Sequence, residues 1–173
     1  MQLAPPTDLF EALNNLLIIY RHVPSITNYP VYLGQLDYLL EPFIADIDDV
    51  TVKKHLKLFF TNIDRTVLDS FSHADIGPKA TRAGYLILEV QGELENAIPN
   101  ISMKYDPEIT DDDFALACIK CALKTAKPSF ANHRMFKNEL GEDYVIASCY
   151  NGLLLGGGAY TCLLYTSPSP RDA

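Results

Sequence analysis

The 173 residues include no tryptophan, three methionines and four cysteines. Cys118, Cys121, Cys149 and Cys162 are too few, in a chain of this size, to form the disulfide framework of a small secreted protein. No apolar run approaches the roughly 20 residues of a membrane span, and the start, from Met1 to Pro6, lacks the basic and apolar regions of a signal peptide. These absences predict a reducing, cytoplasmic setting and no membrane. Positive charge is also scarce. Fourteen Lys and Arg against 22 Asp and Glu give a net charge of −8, which disfavours general attraction to nucleic acid. The basic cluster Lys53, Lys54, His55 and Lys57 lies in a helical pattern and reads as a solvated helix face rather than a phosphate site.

What is present is 48% hydrophobic residues, enough for one domain with a sizeable core. Thr7 or Asp8 can cap a first helix in which Phe10, Leu13, Leu16, Leu17 and Tyr20 recur at helical spacing, ending near Arg21 and His22 before Pro24. Residues 26–33 read as extended, with Pro30 marking an edge or irregular strand. Asp48 and Asp49 open a helix to about Leu68. Residues 70–78 read as a polar loop long enough to reach an active site, with His73 a possible but unusual acid or base. A helix is expected from about Ala80 to Ala97, then a half-buried strand over Ile101 to Tyr105 from its alternating side chains.

Thr110 with Asp111, Asp112 and Asp113 has the form of a capping box rather than of a metal loop, because consecutive carboxylates on a first turn point in different directions. Phe114, Cys118, Cys121 and Thr125 then share one helix face, so the Cys-x-x-Cys pair reads as core. Residues 127–133 form a short extended piece ending in polar groups. Tyr144 to Ala147 form a buried one that delivers Cys149 into the turn signal Tyr150, Asn151 and Gly152. Two such pieces around a helical turn predict polar ends that converge on one pocket. The glycines 156–158 lack the lysine of a phosphate loop and read as flexible or closely approached backbone.

These residues carry a resemblance. The pattern Pro128-x-Phe130-x-Asn132, then Leu140 to Tyr144, then Cys149, resembles the segment leading into the active-site cysteine of glycyl radical enzymes, and the Ser148 to Gly152 string is similar to their YjjI-type branch. Gly34 to Phe43 resembles a Gly-x-Leu-Asp-Gln-x-Leu-x-Pro-Tyr block of the same superfamily, with Tyr38 where many members have Gln. Without the family, Asp37 reads as a cap or turn residue. The resemblance implies an α/β fold, here an incomplete β/α barrel over residues 1–161 with a cysteine hairpin inside it. Residues 162–173 resemble a translated sequencing adapter and are expected to be a non-native tail.

It also implies that Cys149 becomes a thiyl radical that takes hydrogen from a small organic substrate. The radical would be stored on a glycine in a C-terminal loop missing here, installed by a radical-SAM activating enzyme, so that this chain alone is inactive. No bound cofactor or metal is expected, and the full-length form is compatible with a homodimer. Asn132 and Asn151 are the candidate substrate-binding residues. Asn151 stands where the dehydratase and trimethylamine-lyase branches have a Glu base, and Ser148 replaces one of the paired cysteines of pyruvate formate-lyase. The alternative from the residues themselves is a non-catalytic α/β binding domain with a buried structural cysteine.

Overall fold

A computed structural model describes residues 3–26, 31–66, 72–94, 96, 99–141, 144–147 and 151–154, with the backbone only for 23–26, 66, 147 and 151–154. In chain order the elements are α1 (Leu9–Ile26), β1 (Val31–Gln35), α2 (Leu36–Leu40), a 3-10 turn (Glu41–Phe43), α3 (Asp49–Thr66), β2 (Ser72–Ile76) and α4 (Arg82–Glu93). There follow β3 (Asn100–Tyr105), α5 (Asp112–Thr125), β4 (Ser129–Asn132), α6 (His133–Leu140), β5 (Tyr144–Ala147) and β6 (Asn151–Leu154).

The first four strands form one parallel sheet in the order β1-β2-β3-β4. Strand order follows chain order with a helix in each crossover, which is the winding of barrel-type β/α folds rather than of sheets that reverse at a switch point. β1 and β4 are its edges, so the expected barrel is an open sheet among the described residues. β5 and β6 make a separate antiparallel hairpin.

The two faces of the sheet differ, and the alternation of side chains along each strand is the reason. Val31, Leu33, Ala74, Ile76, Ile101 and Met103 join residues of α1 to α5 in one apolar core. Fully buried side chains such as Phe60, Leu56 and Phe114 each contribute about 1.5–3 kcal/mol there. The intervening residues Tyr32, His73, Asp75, Ser102, Lys104 and Ser129 line the opposite face. In β1 the alternation resets at a bulge: four residues, Tyr32 to Gln35, span what three, His73 to Asp75, span in β2. Gly34 absorbs the extra residue at φ 91, and Gln35 thereby comes to the polar face beside Tyr32.

Several elements depart from the sequence expectation. α1 runs through Pro24, which has no N–H to donate to the Tyr20 carbonyl, and Phe10 is exposed, its ring edge against His55. The predicted polar loop over 70–78 is largely β2, an interior strand buried along its whole length. β3 is buried on both faces rather than one, because the hairpin covers its polar side. α4 is shorter than predicted: Thr81 caps it by accepting from the Gly84 N–H at 2.9 Å, and it ends at Glu93. The starts of α3 and α5 fall as the sequence suggests, with Asp48 accepting from Thr51 and Asp111 from Asp113 and Phe114. Thr110 instead accepts from the Asp106 N–H. Cys118 and Cys121 are free thiols in the core.

Candidate active site

The polar side chains gather toward the C-terminal ends of the parallel strands, the end where α/β folds hold their ligands. Asp75 in β2 and Lys104 in β3 are its centre, both buried, with Lys104 Nζ 3.6 Å from Asp75 Oδ2. The same Oδ2 accepts from the Tyr32 hydroxyl at 3.1 Å and from the Ile146 N–H at 3.2 Å. Lys104 Nζ also donates to the Tyr144 carbonyl at 3.0 Å and to Gln35 Oε1 at 3.4 Å. One knot of charge-assisted hydrogen bonds thus joins β1, β2, β3 and β5.

The bonds to β5 have a backbone logic. N–H and C=O groups of residues i and i+2 leave a strand on the same side. Tyr144 and Ile146 therefore present one edge of β5 to Asp75 and Lys104. Buried backbone groups need such partners. Below the backbone, the Tyr144 ring stacks on Phe136 at 5.5 Å, with Lys104 Nζ 4.5 Å from its centroid. Its hydroxyl lies 2.6 Å from His133 Nδ1. Ala131, Phe136, Tyr144 and Ile146 make a second small apolar core under the hairpin.

Burial sets the electrostatics. It pushes the Asp75 carboxyl up to about 6, against the opposing pull of Lys104 and the bonds from Ile146 and Tyr32. Burial also lowers Lys104, and Asp75 resists this. The phenols of Tyr32 and Tyr144 are raised by burial and then by Asp75, so both stay protonated donors. His73 is lowered by burial, which favours its neutral form.

A second node lies beside it. Asp37 is fully buried in the first turn of α2 and accepts from the Gly77 N–H at 2.9 Å and the Thr81 hydroxyl at 3.2 Å through Oδ2, and from Tyr38 N–H through Oδ1. Gly77 sits at φ 76, and a Cβ there would stand 3.1 Å from the Lys104 carbonyl, so the turn after β2 needs glycine. Gln35 Nε2 donates to the Gly77 carbonyl. Asp37 is thus a structural acceptor, in keeping with its reading as a cap or turn residue.

Of the predicted site residues, Asn132 ends β4 and caps α6, its Oδ1 accepting from the Met135 N–H at 3.0 Å. Asn151 begins β6 opposite Ala147, and its side chain lies outside the described residues. Cys149 falls by sequence between β5 and β6, and it, Ser148, the glycines 156–158 and the tail 162–173 also lie outside them. His133, first in α6, meets Tyr144, first in β5, whereas the polar end of the second extended piece, from Ser148 on, whose convergence on a pocket was expected, lies outside the described residues. His73 is in β2, not a loop. The basic cluster on α3 is a solvated face: Lys53 pairs with Glu89 at 2.9 Å and Lys57 with Glu93 on α4. Sequence reasoning missed Asp75 and Lys104, whose signal was a polar residue at every second position of β2 and β3.

The fold and this face define an α/β protein whose parallel sheet carries an antiparallel hairpin on its polar side. The chain belongs to the YjjI-like glycyl radical enzyme family, whose model matches residues 1–165. It is 53% identical over 161 residues to an uncharacterized protein of Haemophilus influenzae and 42% identical over 164 residues to the uncharacterized protein YjjI of Escherichia coli. Each match covers 93% of this chain and 31% of the relative. The chain thus spans about a third of the length of these relatives. No described helix is long and apolar enough to cross a membrane.

Proposed function

We propose that this chain is the part of an anaerobic glycyl radical enzyme that carries the hydrogen-relay cysteine, Cys149. The observation that carries the reading is the fastening of β5, two residues before Cys149 in sequence, to the C-terminal end of the parallel sheet through Asp75 and Lys104. A radical on a backbone glycine elsewhere in the full-length protein takes the hydrogen atom of the Cys149 S–H. A C–H bond forms at the glycine and a thiyl is left. The thiyl then takes hydrogen from a C–H bond of a small organic substrate. A thiyl needs surroundings that offer it no other partner, and the buried Tyr144, Val145 and Ile146 supply apolar, water-poor surroundings for the strand before it.

Asn132 and Asn151 are the proposed polar contacts to the substrate. For Asn132 this role falls to the amide nitrogen, since its oxygen is engaged in the α6 cap. Asn151 is neutral, which argues against an elimination that uses a carboxylate base at that position. Installing the radical requires a radical-SAM activating enzyme, and the activity is one of the full-length protein.

The test is anaerobic activation of the full-length protein by such an enzyme, followed by electron paramagnetic resonance. A carbon-centred doublet, split by the single glycine α-hydrogen, is expected in the wild type and in Cys149→Ala. Absence of any such signal in the wild type, with the activating enzyme shown to cleave its cosubstrate, overturns the reading.

A further inference from the structure

We infer that Asp75 and Lys104 are positioning residues that, together with the Tyr144 side chain, fix the register of β5 and so support the relay position of Cys149, an inference that rests on the relay role proposed above. As a source of stability alone their pairing is a poor choice, since a buried ion pair is commonly matched by apolar residues of similar volume. What an apolar pair cannot supply is direction. Asp75 accepts from the Ile146 N–H and Lys104 donates to the Tyr144 carbonyl, so a slip of one residue, about 3.3 Å along the strand, would turn both backbone groups away from the pair. A slip of two residues would bring equivalent backbone groups back to the pair, and it is opposed by the Tyr144 side chain, whose ring stacks on Phe136 and whose hydroxyl meets His133. Hydrogen transfer needs the reacting atoms within about 3–3.5 Å.

The rest of the knot serves the same end. Tyr32 and Gln35 hold Asp75 and Lys104 from β1, and the reset at Gly34 is what lets both reach. Tyr144 contributes its ring as well as its carbonyl, packed between Lys104 and Phe136. Among the described residues, Asp75 Oδ1 is buried with no hydrogen-bond partner. The donors that Asp75 engages among them, Tyr32, Lys104 and Ile146, converge on Oδ2, the oxygen that faces β5.

The experiment uses the activated full-length protein moved into D2O. Thiol hydrogen exchanges with solvent, so each passage of the radical through a thiol can return deuterium to the glycine and collapse the doublet to a singlet; the rate of collapse reports how well Cys149 is placed. Asp75→Ala and Lys104→Met are expected to form the radical in normal yield and to slow the collapse at least tenfold. Asp75→Asn, which keeps an oxygen for the Ile146 N–H, should recover most of the rate. Leu56→Ala, in the core away from the hairpin, should lower the melting temperature and leave the rate unchanged. Should Asp75→Ala fail to fold, Lys104→Met carries the test. Folded variants that collapse at the wild-type rate overturn the inference, as does a Leu56→Ala protein slowed as much as they are. A wild type with a stable doublet that never collapses refutes the relay role itself, a different failure read in a different sample.

Discussion

His133 Nδ1 lies 2.6 Å from the Tyr144 hydroxyl, joining the first residue of α6 to the first residue of β5. Both side chains are buried, so the bond has no water to replace it. Tyr144→Phe keeps the ring on Phe136 and beneath Lys104 and removes only the hydroxyl. The expected cost is about 1 kcal/mol, with His133 losing a partner. Urea denaturation of the full-length protein followed by the protection of β5 amides measures it, and an unchanged midpoint would count against the bond.

The pH dependence of stability has a defined sign at Asp37. Burial pushes its carboxyl up from 3.8 to about 7, so between those values the folded protein holds a proton that the unfolded chain has released. The stabilisation is full below the lower value and is lost as pH rises through the higher. Asp75, raised to about 6, acts in the same direction. Asp106, held low first by its bond from the Glu108 N–H, acts in the opposite direction, so the whole curve mixes signs and a difference isolates one group. The melting temperature of the wild type minus that of Asp37→Asn should fall from about pH 5 to about pH 8. A constant gap would contradict the raised carboxyl.

Ala126 ends α5 in the left-handed region at φ 59, with its N–H bonded to the Ala122 carbonyl. A β-carbon is unfavourable there and glycine is the usual occupant. Ala126→Gly should therefore raise stability by about 0.5–1 kcal/mol, unlike most glycine substitutions. A lowered denaturation midpoint would show that the left-handed turn is not kept.

Cys118 is fully buried, and burial pushes its thiol up to about 12. Cys121 lies in the same core and reaches the Leu88 carbonyl at 3.4 Å. Neither should react with iodoacetamide in the native protein, because the thiolate is the reactive form and access is closed. Mass spectrometry after brief labelling checks this. Rapid modification of either would place the pair outside the core.

Much of this could be read in the residues. The helix starts at Asp48 and near Asp111, the cysteine face of α5, the edge position of β1 and the buried run from Tyr144 were legible because each depends on local chemistry. The polar face was not. Ser72-His73-Ala74-Asp75 looks like a loop, and Ser102 and Lys104 look like the wet side of a half-buried strand. Alternation says that two faces differ, but it does not say what covers each. The cover is a hairpin 40 residues beyond Lys104 and 71 beyond Asp75, and it receives their hydrogen bonds on its backbone. A backbone partner leaves no mark in the sequence.

The most direct measurement of the central claim is the fate of the doublet in D2O for the activated full-length wild type and Cys149→Ala side by side. If Cys149 is the relay, the wild-type doublet collapses to a singlet while the Cys149→Ala doublet persists, because no thiol returns deuterium to the glycine. Collapse at equal rates in both proteins would contradict the account and assign the relay to another residue.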